Sequence, residues 1–126
     1  MKVERYDPQL HRAWLRDWLD WHDERPLAPE LLPPTGFVVP ELAMGFLYGT
    51  DSKMALIEVL ISNPMASREL RSQALDAVVE AIIAEAQARG FTRLLGYTAL
   101  PAVVGRAERH GFGAGAERYT LVTKVL

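Results

Sequence analysis

The chain contains no cysteine. Disulfide bonds, thiolate metal sites and a cysteine nucleophile are therefore excluded. Histidine is scarce, at three residues. His11 and His22 lie eleven positions apart on one predicted helix, too far to share a metal ion. No metal is expected. Charge is nearly balanced, at −2, with no block of either sign. That speaks against nucleic-acid or anionic-membrane binding. No apolar run is long enough to span a bilayer, and the opening MKVERYD carries no apolar signal region. Internal repeats and low-complexity tracts are missing too. The expectation is a cytoplasmic protein with neither nucleic acid nor membrane as partner.

What is present describes one globular domain spanning residues 1–126. Of these residues, 49% are hydrophobic and 24% charged, enough for one core without disulfides or metals. The organising stretch runs from Met54 to Gly90. Met54–Ser62 is almost wholly apolar, with Glu58 as its one charge, and Asn63-Pro64 ends it. About twenty residues of amphipathic helix follow, closed by Gly90. A buried strand feeding a long helix is half of a βαβ unit, and apolar Thr92–Thr98 supplies the second strand.

The flanks add layers. Met1–Tyr6 reads as a short first strand. Asp7-Pro8 reads as an N-cap and first helical residue of a helix reaching about Asp23. Trp14, Trp18 and Trp21 recur at helical spacing and are expected to share its buried face with Leu15. His11 and His22 flank that stripe, in the core or at its rim. Arg16 and Asp20 are an exposed i,i+4 pair. Arg25–Gly36 holds four prolines (Pro26, Pro29, Pro33 and Pro34), hence a stiff loop with one helical turn near Glu30–Leu32. Such a loop is either functional or a flap over the core. Phe37–Val39, Ala43–Tyr48 and Met54–Ser62 are expected to form an antiparallel meander, with Pro40 at an edge or turn. Pro101 opens a helix to about His110, and alternating Arg118–Leu126 reads as a last strand. Left at an edge, that strand could pair with a second copy to form a homodimer.

On the long helix, Glu69, Gln73, Asp76, Glu80 and Gln87 line one side, and Leu70, Ala74, Val78, Ala81, Ile82 and Ala86 the other. Glu85 and Arg89 fall toward the apolar side, one turn apart, and read as a pair reaching past the sheet edge. Arg71 falls toward the apolar side in the first turns. A cation there opposes the helix dipole unless an anion is also present, so Arg68 and Arg71 point to an anionic ligand. Solvated arginines are the plain alternative.

The element order, with GFVVPELAMGFLYG, then ALIEVLISNP, the long helix, and Glu-Arg-His-Gly-Phe at 108–112 before a last strand, resembles the GNAT acyltransferase superfamily. The resemblance covers nearly the whole chain. It implies a single α/β domain: a mixed central sheet of six to seven strands with helices on both faces. It also implies that acyl-CoA, in particular acetyl-CoA, lies between splayed strands four and five, with its pyrophosphate at the start of the long helix. The family's phosphate loop reads Q/R-x-x-G-x-G/A. The equivalent here is Ser67–Ser72, with Leu70 and Ser72 where glycines are usual. The cofactor-binding residues carried over are Ser67, Arg68, Leu70, Arg71 and Ser72. Backbone donors near Ile61–Asn63, with Ile61 and Asn63 at the ends, would face the thioester oxygen.

Glu58 matches the position of the family's general base, and its apolar surroundings favour a raised pKa. The plain alternative is a glutamate paired with a cation or facing solvent. Ala107 stands where the family's general-acid tyrosine is usual. Tyr97 and Tyr119 are other phenols on predicted strands. The implied activity is transfer of an acyl group from coenzyme A to an amine on a small molecule or peptide. The competing reading is a binding protein that keeps the fold without catalysis, as some phage-encoded proteins of this look do.

Overall fold

The computed structural model describes residues 1–22 and 27–126. Five strands and three α-helices follow in order: β1 (Glu4–Arg5), α1 (Pro8–Trp21), β2 (Gly36–Val39), β3 (Ala43–Tyr48), β4 (Met54–Ser62), α2 (Arg68–Ala88), β5 (Arg93–Leu95) and α3 (Pro101–Arg109). A 3₁₀ turn, Pro29–Leu31, precedes β2. The strands lie in sequence order, β1-β2-β3-β4-β5. Neighbours are antiparallel except β4 and β5, which the α2 crossover makes parallel.

Helices cover both faces. Against one face α1 packs Leu15, Trp18 and Leu19 onto Tyr6, Val38, Met44, Phe46 and Ile61. Against the other, α2 packs Ala74, Val78, Ile82 and Ala86 onto Phe37, Val39, Ala43, Leu47 and Ala55. Alternation along β2 and β3 feeds the two layers in turn, so both strands read as continuous apolar runs. No helix among the described residues is long and apolar enough to cross a membrane.

Local signals set several boundaries. Asp7 caps α1, its carboxylate accepting from the Gln9 N–H at 2.9 Å. Gly90 follows α2 at φ +84°, a conformation other residues adopt only at a cost. The expected antiparallel meander forms, and Pro40 falls in the turn between β2 and β3. Glu85 and Arg89 do pair, at 3.1 Å, and Arg5 of β1 joins them at 3.1 Å. The helix end expected near Asp23, and Pro26, lie outside the described residues.

Five expectations change. The sheet among the described residues has five strands, not six to seven: residues 118–126 form no ladder, and Leu121, Val122, Val125 and Leu126 are exposed. Alternation marks a face that a sheet can bury, but it needs a partner edge to bury it against. β5 offers only three paired residues rather than all of Thr92–Thr98. Trp14, Trp18 and Trp21 do not share one buried face. Trp18 is 4% exposed, Trp14 is half-buried and stacks on it, and Trp21 is 65% exposed. At about 100° per residue, Trp14 and Trp21 sit some 80–100° from the centre of the arc buried by His11, Leu15, Trp18 and Leu19. Leu70, expected on the buried side of α2, is 45% exposed in its first turn, and Arg16 pairs with Asp17 rather than Asp20.

Candidate functional site

The site begins with a break in β4. Met54, Ala55 and Leu56 pair with β5, and from Ile57 onward the two strands part. On the other side, the β3–β4 register shifts between Met44 and Phe46. Met44 opposes Ile61 and Phe46 opposes Glu58, so Val59 and Leu60 together oppose Gly45 alone. This is a β-bulge. Val59 sits at φ +55°, an outlier for a β-branched residue. Gly45 permits it: a Cβ there would meet Leu60 Cδ1 and Val78 Cγ1, each at 3.0 Å.

Regular pairing of Ile57 with Leu47 and of Glu58 with Phe46 puts Glu58 on the α1 face, and the extra residue after it moves Leu60 and Ser62 to the α2 face. Glu58 is half-buried there, and burial pushes its pKa up. No cation pairs with it among the described residues. Tyr48 lies on the same face, and burial and the Glu58 carboxylate raise its pKa. The Tyr48 hydroxyl donates to the Leu31 carbonyl at 3.0 Å, tying the proline-rich turn to the sheet beside Glu58.

At the far end of β4 the Asn63 N–H donates to the Leu42 carbonyl at 2.8 Å, so that donor is committed to β3. By alternation Ile61 also directs its N–H toward β3, and the Ser62 N–H between them faces the gap. The Asn63 side chain instead shapes the passage into α2. Its Nδ2 donates to the Glu41 carbonyl at 2.8 Å and its Oδ1 accepts from the Met65 N–H at 2.9 Å.

Ser67 caps α2, accepting the Leu70 N–H at 3.2 Å. The N–H groups of Arg68 and Glu69 precede the first intrahelical bond and stay free. Arg68 and Leu70 are exposed; Arg71 and Ser72 are half-buried. The Arg71 Nε–H is buried and has no partner among the described residues. An orphaned guanidinium donor beside free helix-start amides fits an anionic group such as a pyrophosphate. Ser72 differs from the other loop residues, because Arg106 of α3 donates to its hydroxyl at 3.1 Å.

The sequence assigned no role to Tyr48, beside Glu58, or to Arg106, His110 and Asp76, where α3 meets α2. Arg106 and His110 bind α3 to α2 through Asp76. The partners of Arg106 and His110 lie thirty or more positions away on α2, so the sequence carried no signal for that contact. Ala107 places no phenol on α3. Tyr97 and Tyr119 meet edge-on, with centroids 5.8 Å apart, beyond the end of β5. A cavity of about 760 Å³ lies there, between Tyr97, Pro101, Val104 and the segment 115–119. A second, of about 430 Å³, runs between α2 and β5 to His110 and Phe112. Neither is lined by Glu58.

No protein-family model matches the chain, and no curated protein matches it. Solved structures do. A Mycobacterium tuberculosis protein solved in complex with CoA is 18% identical, with a TM-score of 0.73 over 98% of this chain and 76% of that one. Glucosamine-6-phosphate N-acetyltransferase from Arabidopsis thaliana is 11% identical, with a TM-score of 0.72 over 98% of each chain. A transcriptional regulator from Bacillus halodurans is 15% identical, with a TM-score of 0.70 over 97% of this chain and 99% of that one.

Proposed function

We propose that this chain, whose fold is that of the GNAT acetyltransferases, is an acyl-CoA-dependent N-acyltransferase. It would move an acetyl group to an amine on a small molecule or peptide. The observation that carries the reading is the parting of β4 from β5 after three pairs, next to Glu58 and the bulge that follows it. A gap with unpaired strand amides, a helix start with free donors and an uncompensated carboxylate converge on one strand.

Coenzyme A, when bound, supplies the acyl group as an activated thioester. The free amides of Arg68 and Glu69 and the guanidinium of Arg71 hold the pyrophosphate at the start of α2. Arg68 adds charge from the surface. The Ser62 N–H, facing the gap, donates to the carbonyl oxygen where negative charge develops. Glu58 takes a proton from the acceptor ammonium and frees the lone pair for attack. Its raised pKa brings it nearer to working pH, where a general base is most effective. The nitrogen–carbon bond forms as the carbon–sulfur bond breaks, the nitrogen releases its second proton to solvent, and the thiolate takes a proton from solvent.

A second reading, a binding protein without catalysis, is favoured by the crowding at the helix start. Ser67 already occupies the Leu70 N–H, and Glu69 puts a carboxylate in the first turn. Calorimetric titration with acetyl-CoA, with dephospho-CoA and desulfo-CoA as controls, separates the two. Micromolar affinity followed by turnover in an amine screen supports the enzyme. No binding at millimolar ligand supports the second reading.

A further inference from the structure

Helix α3 fully buries none of its residues, so apolar packing holds it only weakly. Its contacts with α2 are polar. Arg106 donates to the Ser72 carbonyl at 2.9 Å, to the Ser72 hydroxyl at 3.1 Å and to Asp76. At the end of α3 the His110 ring lies between two carboxylates. Its Nδ1 is 2.5 Å from Glu80 Oε1 and its Nε2 is 2.9 Å from Asp76 Oδ1. Ionised carboxylates only accept, and a neutral imidazole has one N–H. With one ring proton, one carboxylate faces a lone pair. Only the imidazolium satisfies both.

We propose that His110 is a positioning residue: its doubly protonated ring locks α3 onto α2, and loss of one ring proton releases α3 and weakens acyl-CoA binding. The binding half rests on the acyltransferase reading above. The link is short. Residues 96–100 join β5, at the gap, to α3, and Arg106 grips Ser72 in the opening turns of α2.

The surrounding charges favour the locked form. Asp76 and Glu80 face the ring from α2. Arg106 shares Asp76 from α3, and Arg93 of β5 lines the same cavity as His110. Burial alone would lower the pKa of His110, but the hydrogen bonds to Asp76 and Glu80 leave it raised. Burial would raise Asp76, and its bonds from His110 and Arg106 leave it lowered. The His110 contribution is therefore complete below the ordinary histidine value, about 6.5, and disappears as pH rises through the raised one. The Asp76 contribution is present above about 3.9 and disappears as pH falls through its lowered value. The lock holds between these limits and opens on the alkaline side.

The test measures amide exchange across residues 101–110, corrected for intrinsic rates, at about pH 6 and about pH 9 on either side of the histidine range. Acetyl-dephospho-CoA affinity is measured alongside, because a phosphate monoester titrates near pH 6. Wild type is expected to lose about tenfold or more in α3 protection, the loss of one charge-assisted hydrogen bond, with a parallel loss of affinity. His110→Gln should be open at both values. Glu80→Gln is the sharper variant: its amide donates to an unprotonated Nδ1, so α3 should stay protected at about pH 9. Wild-type protection that does not change, or Glu80→Gln opening as wild type does, overturns the proposal. Acetyl-dephospho-CoA affinity that stays constant while protection changes overturns its binding half. Absence of all acetyl-CoA binding with the protection pattern intact refutes the acyltransferase reading instead.

Discussion

Trp18→Ala tests whether α1 is docked as described. Trp18 is 4% exposed and packs between Trp14 and the sheet residues Met44 and Phe46. A buried tryptophan removes roughly 150–250 Å² from water, about 4–6 kcal/mol as an upper bound at about 25 cal/mol per Å². Measured truncations of buried aromatics cost about 3–5 kcal/mol. A domain of this size has about 5–15 kcal/mol in total, so the loss is about a fifth or more of its stability. At about 3–5 °C per kcal/mol the midpoint should fall by about 10–20 °C. Urea unfolding followed by fluorescence and circular dichroism gives the free energy, with the slope checking that the transition stays two-state. Trp21→Ala is the control. At 65% exposed it should change stability by less than about 0.5 kcal/mol. A Trp18→Ala loss below about 1 kcal/mol, or a Trp21→Ala loss as large as that of Trp18→Ala, refutes the assigned helix face.

Glu58→Gln should lower turnover by about 10²–10⁴-fold while leaving acetyl-CoA affinity unchanged, measured by steady-state kinetics and calorimetry; equal activity removes the base. The same variant has a stability signature. Burial raises the pKa of Glu58, so the folded chain binds its proton more tightly, and stability declines as pH rises from about 4.3 through the raised value. Glu58→Gln should flatten that decline, and an unaltered pH–stability profile counts against burial at this position. Arg71→Ala should weaken acetyl-CoA binding by about tenfold or more at low salt and by less at high salt; salt-independent or unchanged affinity removes Arg71 from the pyrophosphate site. Gly45→Ala should destabilise by about 1–3 kcal/mol in urea unfolding, because Leu60, Val78 and Ile82 close on the added methyl at 3.0–3.2 Å. A neutral effect would mean that the bulge has room to spare.

Much of the architecture was legible because its signals are local. Asp7-Pro8, Asn63-Pro64 and Gly90 punctuate α1, β4 and α2 through dihedral preferences that neighbouring residues alone impose. The largely apolar run Met54–Ser62 and the helical periodicity after it marked a strand and an amphipathic helix, although β4 buries only Ala55 and Ile61 fully and leaves the residues between them half-buried. Arg71 stood out because its charge and its place on the wheel disagree, and its orphaned Nε carries that disagreement into the structure.

Tertiary structure decided the rest, because it depends on residues distant in the chain. Period-2 alternation puts Glu58 on the face of Leu60 and Ser62. Only the bulge, made possible by Gly45 on the neighbouring strand, parts them, sending Leu60 and Ser62 to the α2 face while Glu58 stays toward α1 and Tyr48. The length of β5 depends on where β4 leaves it, and the fate of residues 118–126 depends on the edge that β5 then offers. The pairing of His110 with Asp76 and Glu80 spans thirty or more positions, so no spacing rule could announce it. Composition and periodicity determine which elements exist and which faces they bury. Register, the parting of strands and contacts between helices determine which side chains meet.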